Sequence, residues 1–304
     1  MLAYDRTGTG PTLLLLHGTN SSRSIWKPLL PRLSAERDVL AVDLPGHGQS
    51  PPSSFTPPAW ADDIAAFLDE LGLRRVIVVG HSSGGWTALE LAKRGRARAV
   101  LALAPAGLWR RHSPLVTDAI LDINWRTGQL LGERALAPLR TGIGRRIALR
   151  QISARPAEVG QHEALVAARA ALASKHFPEH FSQTRRLRFL NGKSIPVEVP
   201  IHIVWGDQDH IAGARRSRYT DQLPVHATVE TWQRCGHMLM WDDPGAVLAA
   251  ALALSAGSAA AAAGSPATTA GSPAVTRQRA SDRQKLAGAT ESGPSTEAPR
   301  CAHW

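Results

Sequence analysis

A chain of 304 residues, 43% of them apolar, is long enough for one large or two small domains with a substantial core. Its net charge of +10 is concentrated: residues 106–195 carry 15 basic and 6 acidic side chains, a net of +9. No dense Lys/Arg run interleaved with aromatics occurs there, which argues against a nucleic-acid partner and for a solvated helical surface.

The opening MLAYDRTGTG has no basic segment followed by an apolar run, so no secretory signal is expected. Four short apolar runs then follow: TLLLLH (12–17), DVLAVD (38–43), VIVVG (76–80) and AVLALA (99–104). Each has the composition of a parallel strand buried on both faces. Helical stretches lie between them at 23–35, 58–72 and 83–94, the first weakened by Pro28 and Pro31. This alternation predicts a doubly wound α/β fold, a mostly parallel sheet with helices on both faces. Residues 1–105 and 196–254 form the expected core.

The alternation breaks after Ala104. Residues 106–195 hold helical stretches at 115–123, 128–139 and 157–174 and few strand-like runs. An insertion there sits over the strand ends where open sheets bind ligands, so it is expected to be a lid. Two further strands, VPIHIVWG (199–206) and ATVETW (227–232), resume the sheet. Residues 256–304 are rich in Ala, Gly, Ser, Thr and Pro and lack periodicity, which predicts a disordered tail. The Ala-rich stretch 246–263 is too weakly apolar for stable membrane insertion. Cys235 and Cys301 make no disulfide framework, and a reducing, cytoplasmic setting is expected.

Chemistry centres on Gly80-His81-Ser82-Ser83-Gly84, a G-x-S-x-G between a strand and a helix. A sharp turn holds the central residue in a strained conformation, and small flanking residues let strand and helix pack closely. Ser82 therefore sits at the tip as the candidate nucleophile. Ser83, at the helix start, offers its backbone N–H. A serine needs a base, and the base needs an orienting carboxylate. VWGDQDHIAG (204–213) offers Asp207 and Asp209, and QRCGHMLMWDDP (233–244) offers His237. Both stretches follow strands, on the sheet edge that carries Ser82. His237, next to Gly236 at a strand end, stands above His202, His210 and His226. A developing oxyanion needs two N–H donors. Ser83 is one, and Thr19, in LLLLHGTNSS (13–22), is the other.

These stretches, with VDLPGHGQS (42–50), resemble the α/β-hydrolase superfamily in its lidded serine-hydrolase branch, over about residues 1–254. The resemblance implies Asp209 as the acid, because the acid falls three residues after the Gly of WG-x-x-D, and makes DLPGHGQS a structural turn. Relatives have a further strand before the first apolar run, where this chain has only LAYDRTG, so the first edge hairpin is expected to be shortened. A Ser nucleophile speaks against haloalkane dehalogenases and epoxide hydrolases of this fold, which use Asp there. The expected activity is cleavage of a carboxylic ester or related acyl bond in a small-molecule substrate, with no metal or organic cofactor. Two alternatives are a C–C bond hydrolase, whose substrate carboxylate Arg110 or Arg111 would hold, and a low-turnover ligand receptor. Trp26, Trp86, Trp109 and Trp125 are candidates for the pocket lining.

Overall fold

The structure, a computed structural model, describes residues 1–254 and 276–279. The chain enters through β1 (Tyr4–Thr7) and β2 (Thr12–Leu16), then α1 (Leu30–Leu33), β3 (Asp38–Val42), α2 (Pro57–Glu70), β4 (Val76–His81), α3 (Ser83–Lys93) and β5 (Ala97–Leu103). Among the described residues, eight strands form one sheet in the order β1-β3-β2-β4-β5-β6-β7-β8, where β6 is Ile201–Gly206, β7 is Thr228–Trp232 and β8 is Thr276–Arg279. Strands β2 to β7 run parallel, and β1 and β8 pair antiparallel at the two edges. The central parallel strands β2 to β5 bury nearly every side chain because both sheet faces are covered, which is why they read as aliphatic runs. On these faces α2 packs against α3, and α1 packs against α10 (Pro244–Ala253).

Local chemistry sets the element ends. Thr56 caps α2 with its hydroxyl on the Ala59 N–H, and Pro57 opens the first turn, where no N–H is needed. Asp243 and Pro244 open α10 in the same way. The helix expected over 23–35 is instead a 3-10 turn at Arg23–Trp26 followed by the short α1, because Pro28 and Pro31 remove two N–H donors from the middle of the stretch. Tyr4–Thr7, within LAYDRTG, where no apolar run predicts a strand, pairs with β3 as an edge strand.

Between β5 and β6 the chain leaves the sheet for α4 (Leu115–Leu131), α5 (Gly142–Ala148), α6 (Gln161–Ala173) and α7 (Phe177–Thr184). α4 joins two stretches that the sequence reading kept apart, since nothing between Ile123 and Gly128 breaks a helix. It ends at Gly132, whose φ of +53° suits glycine. Residues Gly132–Arg140 are 3-10, with Pro138 inside. After β6 come α8 (Ala214–Ser217), β7 and α9 (Leu239–Asp242). No helix of the described residues is long and apolar enough to cross a membrane. Apart from Thr276–Arg279, the segment expected to be a tail lies outside the described residues.

The strand order places a topological switch point between β2 and β4, since the chain passes from β2 to β3 on one side and returns to β4 on the other. Ligand crevices of open parallel sheets form at such points, beyond the strand C-termini. Thr19 follows β2 and Ser82 follows β4.

Candidate active site

Ser82 sits at the tip of the turn between β4 and α3 with φ 53° and ψ −118°, a conformation that a residue with a Cβ rarely adopts. Three backbone hydrogen bonds hold it there: Ser82 N–H to Leu103 O at 2.8 Å, and Trp86 N–H and Ala106 N–H to Ser82 O at 3.1 and 3.0 Å. The neighbouring glycines are required by close approach. A methyl group on Gly80 would collide with the Gly84 carbonyl oxygen, and one on Gly84 with the carbonyl oxygens of Leu16 and His17. Asn20 and Ala104, two of the other four non-glycine residues with positive φ among the described residues, line the same cavity as Ser82. Backbone strain is thus concentrated at this site.

Asp209 and His237 meet across the ends of β6 and β7, with His237 Nδ1 2.9 Å from Asp209 Oδ2. The other carboxylate oxygen, Oδ1, accepts the backbone N–H groups of Ile211 and Ala212 at 2.8 and 2.7 Å. Burial alone would raise the Asp209 pKa, but the His237 ring and the Ala212 N–H outweigh it and hold the carboxyl below the usual carboxylate range. The His237 loop is itself tied down. Gly236 N–H donates to the buried Asp242, which also accepts from Ser153 Oγ and from the N–H groups of Ala154 and Arg155, and Met238 N–H donates to Ile152 O. Asp242 therefore binds the histidine loop to the helical insertion. Asp207 is elsewhere: it accepts the Cys235 N–H at 3.1 Å.

Ser82 and His237 open onto one cavity of about 290 Å³. Its lining is mostly apolar, with Leu121, Trp125 and Ala168 from the insertion facing Ile211 and Trp241 from the core. Thr19 and Ser83 line it beside Ser82. Their hydroxyls lie 2.6 Å apart, and among the described residues neither backbone N–H has a protein acceptor.

Two further histidines belong to this site. His81 lies against His237, ring centroids 4.8 Å apart, with its Nε2 3.0 Å from the His237 carbonyl oxygen. Burial and the neighbouring His237 push its pKa down to about 3. His180, on α7, reaches from the insertion to Thr19, with Nε2 2.9 Å from Thr19 Oγ1. It stacks on Trp60, centroids 4.6 Å apart, and burial with His47 beside it lowers its pKa to about 3. Both rings are neutral at ordinary pH.

The Alpha/beta hydrolase family model matches residues 13–251. The chain belongs to the alpha/beta hydrolase family. It is similar to Epoxide hydrolase EphH of Mycobacterium tuberculosis, with 34% identity over 62% of this chain and 89% of that protein. Among solved structures it is similar to a bacterial membrane phospholipase A, with 25% identity, 83% and 81% of the two chains covered and a TM-score of 0.64. It also resembles the epoxide hydrolase CorEH, with 21% identity, 83% and 93% covered and a TM-score of 0.66.

Within this hydrolase fold the sequence-predicted residues divide clearly. Ser82, Ser83, Thr19 and His237 line the cavity, and Asp209 stands behind His237. Asp43, in DLPGHGQS, lies outside the lining and binds the turn instead. It accepts the N–H groups of Arg23 and Gln49 and pairs with the Arg23 guanidinium. Trp109 and Trp125 reach the cavity, whereas Trp26 and Trp86 are core residues outside its lining. Arg110 and Arg111 are exposed, and the arginine in the lining is Arg185. His81, His180, Arg185 and Trp241 also line the cavity, and no sequence motif marks a role for them. The one local sign was the i, i+4 spacing of His180 and Thr184, which share a helix face.

Proposed function

We propose that this protein is a serine hydrolase of carboxylic esters or related acyl compounds, with Ser82, His237 and Asp209 as its triad. The observation that carries the reading is the buried Asp209–His237 pair opening onto the same cavity as a serine on a strained turn. Asp209 accepts the His237 Nδ1–H, which leaves Nε2 as the base. Ser82 Oγ attacks the carbonyl carbon and its proton passes to Nε2. The Thr19 and Ser83 N–H groups hold the oxygen that becomes negative. His237 returns the proton to the leaving group, and water then releases the acyl group by the same steps in reverse. The insertion acts as a lid over this cavity, and the substrate is a small molecule.

The names of two similar proteins raise epoxide opening, and the chemistry of Ser82 speaks against it. A carboxylate that opens an epoxide forms an ester, which water cleaves. A serine would form an alkyl ether, which a His–Asp pair cannot hydrolyse. A carbonyl substrate is the one that lets Ser82 turn over.

The test is Ser82→Ala on p-nitrophenyl esters of graded acyl length. Loss of at least about 10³-fold in kcat is expected in a folded protein, on the scale seen when a triad member is removed. Ester hydrolysis at wild-type rates in folded Ser82→Ala protein overturns the reading. One observation favours a second reading, C–C bond cleavage in an acidic diketone or dienoate. Arg185 lines the cavity, its Nε is buried without a partner, and its guanidinium lies over the Phe181 ring. Such a cation can hold a substrate carboxylate.

A further inference from the structure

We propose that His180, carried by the lid, is a positioning residue for the oxyanion site and holds Thr19 in register with Ser83. The inference rests on the serine-hydrolase reading above, in which Thr19 and Ser83 supply the two N–H donors.

The directions of the hydrogen bonds follow from one fixed point. His180 Nδ1 lies 2.7 Å from the Phe55 carbonyl oxygen, which can only accept, so Nδ1 carries the ring proton. A neutral ring then has a bare Nε2. Thr19 must donate its hydroxyl proton to that nitrogen across 2.9 Å. With its proton committed, Thr19 Oγ1 accepts from the Ser83 hydroxyl at 2.6 Å. The chain therefore runs one way, from Ser83 to Thr19 to His180 to Phe55 O. Thr184 closes it from the same helix, with Oγ1 3.1 Å from both Phe55 O and His180 Nδ1.

Each link joins a different part of the fold. Ser83 begins α3, Thr19 is in the loop after β2, His180 and Thr184 are on α7 of the lid, and Phe55 precedes α2. His180, Ser83 and Thr184 are buried, and the flat stack of His180 on Trp60 sets the ring plane. The Thr19 side chain thus has both its donor and its acceptor roles committed. Two N–H groups act as an oxyanion hole only when their spacing is held, since they must be in place before charge develops. The loop carrying Thr19 turns through Asn20 in the left-handed region, φ 56°, so its path depends on local contacts rather than on a regular element. The hydroxyl link to His180 is one such contact, and it comes from the lid. Withdrawal of α7 breaks the link, so the oxyanion site is complete only under a closed lid.

The experiment uses the full chain with four variants and a Ser82→Ala control. His180→Phe keeps the ring on Trp60 but removes the acceptor. His180→Gln restores an acceptor oxygen at similar reach. Thr19→Val removes the hydroxyl while keeping the backbone N–H, and Thr19→Ser restores it. The readouts are kcat and KM on p-nitrophenyl acetate and the inhibition constant of phenylboronic acid, whose tetrahedral serine adduct places an oxyanion between the two donors. For His180→Phe and Thr19→Val, kcat is expected to fall on the order of 10- to 100-fold, since a misplacement of about 1 Å has that cost. KM should stay within about threefold, boronic-acid affinity should fall in parallel with kcat, and the Gln and Ser variants should recover most of both. If His180→Phe does not fold, Thr19→Val carries the test, because it removes one oxygen from a half-buried side chain. An unchanged kcat, or no recovery in Gln and Ser, overturns the proposal. So does a fall in kcat without a change in boronic-acid affinity. Activity retained in Ser82→Ala would instead overturn the serine-hydrolase reading beneath it.

Discussion

Asp209→Asn tests the proposed triad more sharply than truncation, because the structure dictates which way the new amide must turn. Asp209 Oδ1 takes two backbone N–H groups, Ile211 at 2.8 Å and Ala212 at 2.7 Å. In the variant only the amide oxygen can accept them, so it must occupy that side. The amide nitrogen then faces His237 Nδ1 across the 2.9 Å now spanned by the carboxylate. A donor opposite Nδ1 requires Nδ1 to accept, which moves the ring proton to Nε2. The nitrogen meant to take the Ser82 proton is then already protonated. The rate should fall by about 10⁴, close to 5.5 kcal/mol of barrier, the scale known for loss of the correct tautomer in such triads. Asp207→Asn, two residues away and bonded to Cys235 N–H instead, should stay within about threefold of wild type, as expected for a site outside the reacting unit. The assay is kcat/KM on one p-nitrophenyl ester from pH 5 to 9, with thermal melts to show that both variants fold. Asp209→Asn within tenfold of wild type, or Asp207→Asn as the more damaging change, would refute the reasoning.

Two further predictions concern acid stability and the charge of the substrate. His81 and His180 have pKa values near 3 in the fold and about 6.5 when unfolded, so between those values the unfolded chain binds more protons. Their contribution is complete above pH 6.5 and drains as pH falls toward 3, at up to about 1.4 kcal/mol per pH unit for each ring. Urea unfolding at pH 7.5, 6.0 and 5.0 should show the midpoint falling steadily, and a flat profile would contradict the assigned neutral rings. Arg185→Ala should lower kcat/KM about tenfold or more for an acyl substrate carrying a second carboxylate and leave its neutral counterpart unchanged, as for a lost charge-assisted hydrogen bond. Equal losses on both substrates would remove the case for acidic substrates.

The fold could be read because its parallel strands are buried on both faces, which forces runs such as Leu13–Leu16 and Val76–Val79 that no exposed segment would carry. The position of Ser82 could be read for a similar reason. A strand-to-helix turn that brings Gly80 against Gly84 admits no side chain at either position, and the pattern records that constraint within five residues. The strand-end position singled out His237 and narrowed the acid to Asp207 or Asp209, and only the resemblance chose Asp209, because both carboxylates lie on one short loop after β6. Tyr4–Thr7 was not legible, because an edge strand with two exposed residues of four has no apolar run to show. In the insertion, helix ends depend on Gly132 and Pro138 and on packing against the core, and periodicity alone missed α5 and α7.

His180 marks the boundary of what sequence can show. It is one of 12 histidines, and its partners Thr19 and Phe55 lie 161 and 125 residues away. Nothing within a helical turn of it encodes those contacts except Thr184. They exist because α7 settles over the switch point of the sheet, with the ring of His180 flat on Trp60. The residues of the proposed triad sit at strand ends, where the backbone path is local and therefore legible. His180 arrives from the insertion between β5 and β6, and its contacts with Thr19 and Phe55 are set by how α7 packs on the core. The two meet at one hydroxyl, Thr19 Oγ1, which lies 2.6 Å from Ser83 Oγ on α3 and 2.9 Å from His180 Nε2 on the insertion. Under the proposal above, lid closure and assembly of the oxyanion site are one event. That is why a change on α7, next to neither Asp209 nor His237, is expected to alter turnover more than substrate binding.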